Sequence, residues 1–432
     1  IFKGKMMQAK NFSSGFKALY RASAANFSEG FWKHVPMGAA DPILGISEAF
    51  KKDTDKRKVN LGVGAYRDDA GKPFHLECVK KAEKKIYEAS PDHEYLPIAG
   101  NESFIKASVQ LGFGENSTPI KEGRWLGLQT LSGTGSVRLG LAFIKRYLGD
   151  RTVYITNPTW PTHKTIAQDC FLDCKELTYY DPKTKGLNFE GLVADLEKAP
   201  NGSVILFHPC AHNPTGVDPS QEQWDKLLEV VLKKKHFPFF DMAYQGFATG
   251  DFQRDSYPVR TFAEKTPVFL AQSYAKNLGL YGERIGCFSA TTVDKDEANR
   301  LNSQFKWLAR ALWSNPPLYG ARIADLVLND ADLKKLWFKE VGIMANRIKD
   351  MRHALVDGLK DNGSQHNWKH ITDQIGMFAY TGLNTEQCEK LMADHHVYLT
   401  KNGRISIAGL NSGNVKYVAE CIHNVTKNAK LQ

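Results

Sequence analysis

No apolar run in the 432 residues approaches the roughly 20 needed for a membrane-spanning helix. Stable insertion into a bilayer by that route is not expected. Cysteine is scarce and scattered: Cys78, Cys170, Cys174, Cys210, Cys287, Cys388 and Cys421 make an odd number with no Cys-x-x-Cys pair. That argues against a disulfide framework and for reduced, mostly buried thiols. There is no Gly-Lys-Ser/Thr, which excludes a nucleotide P-loop, and no full Gly-x-Gly-x-x-Gly for a dinucleotide. Internal repeats and low-complexity tracts are missing as well, so a solenoid is not expected.

Acidic side chains are absent from the first 28 residues, which hold Lys3, Lys5, Lys10, Lys17 and Arg21. The chain carries 57 basic and 47 acidic residues, net +10, so half of the excess lies in this leader. The other half is spread too thinly to call for a nucleic acid or an acidic membrane as partner. The leader is rich in Ser and Ala, and Phe12, Phe16, Leu19 and Tyr20 fall at helical spacing. It resembles a mitochondrial presequence and implies the matrix as destination; the alternative is a solvated tail. Because Ile1 is not methionine, the precursor is expected to begin upstream of it.

What is present is an ordinary globular composition, 42% hydrophobic and 24% charged, in a chain long enough for two domains. A short helical run starts at Pro42, and Val59–Arg67 reads as a glycine-rich extended segment. Helices are expected over Glu77–Ala89 and Asn101–Phe113. From Trp125 strands and helices alternate. The strands are Trp125–Leu131, Thr152–Thr156, Glu176–Tyr180, Ser203–Phe207, Phe237–Asp241, Val268–Gln272 and Arg284–Ser289. The intervening helices are Val137–Leu148, Asn188–Lys198 and Gln221–Lys234. This alternation predicts a mostly parallel sheet covered on both faces. Beyond Ala298 the pattern is helical. Val341, Met344, Ile348, Met351, Leu355 and Leu359 mark one stripe of a long helix leading into a second unit. That unit holds strands near Gly376–Thr381 and Gly403–Ala408 and a last helix over Asn414–Lys427.

Ligands of such sheets bind beyond the carboxyl ends of the strands. One end carries Ser132-Gly133-Thr134-Gly135, where glycine lets the backbone approach an anion and the next helix offers free N–H groups; glycine there also serves plain turn geometry. Another carries Trp160 and His163. A third carries His208-Pro209-Cys210-Ala211-His212-Asn213-Pro214-Thr215-Gly216. His208, Cys210 and His212 alternate as metal ligands on a strand would, but Pro209 and Pro214 break the strand and no further Cys/His cluster completes a site. Asp241 follows buried aromatics and needs a partner there, or else caps a turn. Lys276, between the strand and Gly279, is either a solvated loop lysine or an amine held for chemistry. Arg284 closes the set. A phosphate-binding turn, an aromatic plate, a buried acid, an amide and an amine at neighbouring ends fit pyridoxal 5′-phosphate. The amine forms a Schiff base and the acid pairs with the pyridinium nitrogen.

Asn213-Pro214-Thr215-Gly216, Asp241-Met242-Ala243-Tyr244-Gln245-Gly246-Phe247, Ser273-Tyr274-Ala275-Lys276, Gly282-Glu283-Arg284 and Gly403-Arg404-Ile405-Ser406, in this order, resemble the aspartate aminotransferase family. The resemblance runs from about Trp32 to the C-terminus, and Phe31–Gly38 and Asp41–Gly45 look like the start of its mature mitochondrial members. It implies an α/β protein of fold type I: a mostly parallel sheet between helices, with a smaller α+β domain. The division implied is a presequence over 1–28, a small domain from 29–73 and 344–432, and a large cofactor domain over 74–343. By the same resemblance Lys276 carries the cofactor and moves the proton, Asp241 binds the ring nitrogen, and His163 stands behind it. Tyr244 and Asn213 hold the phenolic oxygen, and Trp160 stacks on the ring. Ser132, Gly133, Thr134, Ser273 and Arg284 hold the phosphate with Tyr95 of a second subunit, which implies a homodimer with shared sites. Arg404 takes the substrate α-carboxylate, Arg310 the distal one across the dimer, and Gly64 joins Trp160 and Asn213 around the substrate. Amino acids and 2-oxo acids are the implied ligands, exchanged by ping-pong transfer between aspartate and 2-oxoglutarate. Ala311 and Trp313 stand where the family has proline and tyrosine, which leaves a broader aromatic or kynurenine range as the alternative.

Overall fold

Seven strands build one sheet: β1 Trp125–Leu131, β2 Val153–Asn157, β3 Cys174–Thr178, β4 Val204–Phe207, β5 Phe237–Met242, β6 Phe269–Ser273 and β7 Ile285–Thr291. Their order is β1-β7-β6-β5-β4-β2-β3. Neighbours pair in parallel except β7, which runs antiparallel to both β1 and β6. The reversed strand matters. Its first residue, Ile285, lies opposite Leu131, and Gly286 lies opposite Ser273. The entry to β7 therefore shares an edge with the exits of β1 and β6, which puts Arg284 beside Ser132 and Ser273. Gly286 is required there, because a Cβ on it would lie 2.6 Å from the Ser132 carbonyl carbon and from Gln272 O.

The computed structural model describes residues 31–38 and 42–428, so the leader and its helical spacing lie outside them. The chain divides into two compact units, 1–45 and 46–432. In the first, the rings of Phe31 and Trp32 meet edge to face at 4.8 Å, and both residues are exposed. The expected helix from Pro42 spans Pro42–Lys52. The rest concerns residues 46–432.

Apolar side chains on both faces of the sheet enter two buried clusters, one around Phe207, Phe240 and Leu270 and one around Phe239, Phe269 and Phe288. Burial on both faces explains why β4, β5, β6 and β7 read as nearly continuous apolar runs. The edge strand β3 departs from expectation: it starts at Cys174 rather than Glu176, with Lys175 and Glu176 exposed. Val59–Arg67 keeps only two residues of strand, Val59–Asn60, paired in parallel with Val397–Tyr398. Phe378–Tyr380 and Arg404–Ser406 form a separate antiparallel pair. The long helix runs from Ala331 to Asp361 and buries Val341, Met344, Ile348, Leu355 and Leu359. Its Glu340 accepts from the N–H groups of Glu77 (2.6 Å) and Cys78 (2.9 Å), filling donors that the helix Glu77–Ala89 leaves open at its start.

Candidate active site

The strand exits converge on a cavity of ≈110 Å³ lined by Ser132, Gly133, Thr134, Trp160, His208, Asn213, Asp241, Ala243, Tyr244, Ser273, Lys276 and Arg284. All but His208 and Ala243 are residues the resemblance assigns to the cofactor or substrate.

The anion end is a helix start. Ser132 is not in a loop before the helix, as the glycines suggested, but is its first residue: the helix spans Ser132–Leu148. Ser132 takes a left-handed φ of 59°, and no side chain caps the end. The N–H groups of that turn have no intrahelical acceptor and face the cavity with positive dipole character. Ser132 Oγ and Ser273 Oγ lie 2.9 Å apart, and the exposed Arg284 stands at the rim. Hydroxyls, helix N–H groups and a guanidinium are a donor set for a phosphate.

The opposite end holds one acid. Asp241 is buried, and its Oδ2 is 2.9 Å from His163 Nε2. Thr159 Oγ1 lies 3.0 Å from the other ring nitrogen, Nδ1, and fixes the imidazole. Burial pushes the Asp241 carboxyl up, but the His163 hydrogen bond and charge pull it down further, so it lies below its ordinary value. Its Oδ1 is buried and has no partner. A buried carboxylate oxygen without a donor is costly, and a protonated ring nitrogen would satisfy it. Gly133 keeps the wall flat at this point, since a Cβ there would sit 3.5 Å from Oδ1. Trp160 meets His163 edge to face at 5.2 Å.

Between the two ends lies Lys276, partly buried. Its ammonium is held down to about 8 by burial and then by Arg284, against the pull of Asp241. A lysine in that state reaches its neutral amine form far more readily than an ordinary lysine. Burial raises the Tyr244 phenol, which therefore stays a donor.

Arg404 sits just below, 5% exposed. Its Nη2 donates to Gly62 O (2.7 Å), its Nη1 reaches Asn213 Oδ1 (3.5 Å), and its Nε has no acceptor. The guanidinium lies 4.3 Å over the Phe378 ring, which also packs on Gly64 and would meet a Cβ there at 2.8 Å. Among the described residues no carboxylate pairs with Arg404. Arg352 makes the contrast: as buried, and likewise without an acceptor for Nε, it has three carbonyls, of Ile371, Gly376 and Phe378, on its Nη groups within 2.8 Å and serves the fold. A buried arginine left short of acceptors has the capacity to take a carboxylate.

A family model described as "Aminotransferase class I and II" matches residues 56–422. The chain belongs to the class I and II aminotransferases. It is 54% identical over 409 residues to a Gallus gallus protein named aspartate aminotransferase, mitochondrial, covering 94% of this chain and 97% of that one. A mitochondrial aspartate aminotransferase structure from Trypanosoma brucei superposes with a TM-score of 0.86 at 45% identity, covering 88% and 100% of the two chains. An aromatic-amino-acid aminotransferase from Burkholderia pseudomallei, covalently bound to pyridoxal phosphate, matches with a TM-score of 0.89 at 39% identity, covering 91% and 99%.

Two expected residues of this aminotransferase lie away from the cavity in the single chain. Tyr95 is 86% exposed, and Arg310 is exposed with its Nη1 on Ser314 Oγ at 2.9 Å. Their segments are tied together, since Asn315 Nδ2 donates to Leu96 O at 2.7 Å. The alternation of His208, Cys210 and His212 does not converge on one point: Thr156 and Thr215 occupy both ring nitrogens of His212 at 2.8 Å. His208 instead joins the cavity wall, its ring 5.0 Å from His163 and its pKa lowered to about 3 by burial. Its alternation was visible in the sequence, but its neighbours on β5 were not.

Proposed function

We propose that this aminotransferase acts on aspartate, passing the amino group of L-aspartate to 2-oxoglutarate and giving oxaloacetate and L-glutamate. Its cofactor is pyridoxal 5′-phosphate. The observation that carries the reading is the buried Asp241 with its unpartnered Oδ1, set across one cavity from a lysine of lowered pKa and an open helix start. Bound there, pyridoxal phosphate supplies a ring that delocalises the electron pair left on the substrate Cα.

The chain supplies the rest. Asp241 holds a protonated ring nitrogen, with His163 fixing the carboxylate. The start of Ser132–Leu148, with Ser273 and Arg284, holds the phosphate. Asn213, whose Oδ1 faces Arg404, presents its amide nitrogen with the Tyr244 hydroxyl as donors toward the phenolic oxygen. Trp160 covers the ring face. Lys276 Nζ would anchor the cofactor and, once the substrate amine had taken its place and freed it, would be the base that takes up and returns the substrate's Cα proton. Arg404 orients the substrate through its α-carboxylate, beside Gly64. Two half-reactions at one site give ping-pong kinetics. The exposed Tyr95 and Arg310, on segments joined by the Asn315–Leu96 hydrogen bond, support a homodimer in which each completes the partner's site. Pairing of Val59–Asn60 with Val397–Tyr398 supports a small domain built from 29–73 and 344–432 beside a large one over 74–343. The basic, acid-free leader supports delivery to the mitochondrial matrix.

The loaded protein should show a pH-sensitive visible band that is lost when aspartate is added and returns with 2-oxoglutarate; no band after cofactor addition would sink the reading. Substrate choice is tested separately. Arg310→Ala is expected to cut kcat/KM for aspartate about a hundredfold or more, as loss of a charge pair to a bound carboxylate does, and to leave aromatic substrates within a few-fold. Unchanged aspartate turnover would move the assignment to the aromatic alternative.

A further inference from the structure

Asp255 and Asp218 do not line the cavity, and neither has a basic partner among the described residues. Both hold backbone instead. Asp255, 2% exposed, accepts from Gly246 N (2.8 Å), Ala248 N (3.1 Å), Thr249 N (3.1 Å) and Thr249 Oγ1 (2.6 Å). It therefore clamps the turn that leaves Tyr244, and Phe247 N closes that turn on Tyr244 O at 2.9 Å. Gly246 holds a φ of +92°, and a Cβ there would strike Val341 at 2.7 Å, so the turn has one shape. Asp218, partly buried, accepts from Ala211 N (2.6 Å) and His212 N (2.9 Å), the two residues before Asn213. Ala211 is held there at a left-handed φ of 49°, a conformation an alanine does not keep without such ties.

The two clamped loops carry Tyr244 and Asn213, which meet in the same cavity. We infer that Asp255 and Asp218 are positioning residues that set, from behind, the aim of the Tyr244 hydroxyl and the Asn213 amide at one cofactor oxygen. This rests on the role proposed above for Tyr244 and Asn213. A carboxylate suits such a clamp because it accepts from several N–H groups at once and offers none of its own. Replacing either by asparagine keeps the size but turns an N–H₂ group toward backbone N–H donors. Both substitutions should then move the same observable, because both donors act on the same atom.

The observable is the pH midpoint of the visible band. Donors to the phenolic oxygen favour its charged form and hold the midpoint down, so loosening them raises it. Asp255→Asn and Asp218→Asn are each expected to raise the midpoint by about half a pH unit or more, the size of shift that one misaligned hydrogen bond to a charged oxygen produces. In the cofactor-free protein, amide exchange at Gly246 and Ala248 should accelerate in the Asp255 variant and at Ala211 and His212 in the Asp218 variant. Asp195→Asn is the control, since Asp195 accepts from Thr178 N (2.8 Å) at the far edge of the sheet. It should lower the unfolding temperature without moving the midpoint. If Asp255→Asn does not fold, Thr249→Ala removes only the hydroxyl donor and should move the midpoint in the same direction. An unmoved midpoint in the Asp255 or Thr249 variant and in the Asp218 variant, with Tyr244→Phe moving it, overturns the inference and leaves the role of Tyr244 standing. An unmoved midpoint in Tyr244→Phe itself overturns the role on which the inference rests.

Discussion

Lys276→Met is expected to lower transamination at least ten-thousandfold while leaving the cofactor able to bind. In the proposed reaction the lysine has two roles, anchoring the cofactor by its amine and carrying the proton between two carbons. A positioned acid–base group alone contributes about a hundred- to ten-thousandfold. Methionine matches the length of the side chain and the apolar part of its packing, so loss of activity would not reflect a collapsed cavity. The same variant has an opposite effect on stability. In the folded chain Lys276 has a pKa of about 8 against an ordinary 10.5. Between those values the unfolded chain binds more protons, so stability rises with pH across that window. The cost of the charged form is present in full below about pH 8 and gone above about 10.5. Cofactor-free Lys276→Met should therefore be more stable than the parent by about 3 kcal/mol at pH 7, with the gap closing as pH rises toward 10.5. Urea midpoints of the two proteins at pH 7 and pH 10 check this; an equal gap at both would mean that the buried ammonium is not its cause.

The strand exits were legible because each joins a buried apolar run to a loop rich in Gly, Pro or polar residues. That is how Ser132, Asn213, Asp241 and Lys276 fall at strand exits on sequence alone, whereas Ser273 rests on the resemblance. The sequence could not say that β7 runs the other way. Its run from Ile285 to Thr291 is buried throughout and reads the same in either direction, yet only the antiparallel sense brings Arg284 beside Ser132 and Ser273. Glycines hid the start of the helix at Ser132, since Gly133 and Gly135 weaken a helical pattern even where the helix exists. The edge strand β3 starts two residues before the expected one, because its opening Cys174-Lys175, with Lys175 exposed, gives little apolar signal. Arg404 was assigned only through resemblance. What the fold adds is its physical reason: a guanidinium buried with too few acceptors, whereas Arg352, just as buried, is supplied by three carbonyls. Arg310 and Tyr95 are exposed in the single chain, as the role proposed for them at a partner's site requires, and no burial marks them in the fold.

Asp241→Asn is expected to lower kcat about a thousandfold, close to the 3–5 kcal/mol that breaking a buried ion pair costs. The amide has nearly the shape of the carboxylate and still offers an oxygen where Oδ1 now lies without a partner. What it lacks is the charge that keeps a ring nitrogen protonated in a dry cavity. Asp241→Glu keeps that charge but must fit an extra methylene between Gly133 and His163, so it should retain more activity than the asparagine variant, at some cost in cofactor affinity. The ordering of the two separates charge from shape: if glutamate were the worse of the pair, placement rather than charge would set the rate. Stability gives an independent reading. The Asp241 carboxyl lies below its ordinary value once the His163 hydrogen bond has outweighed burial. A depressed acid contributes stability above its unfolded pKa and loses it as pH falls through the folded one. The cofactor-free Asp241→Asn protein should therefore be less stable than the parent at neutral pH, and the difference should vanish in acid below the folded pKa. A difference that persists there would belong to packing and not to the charge.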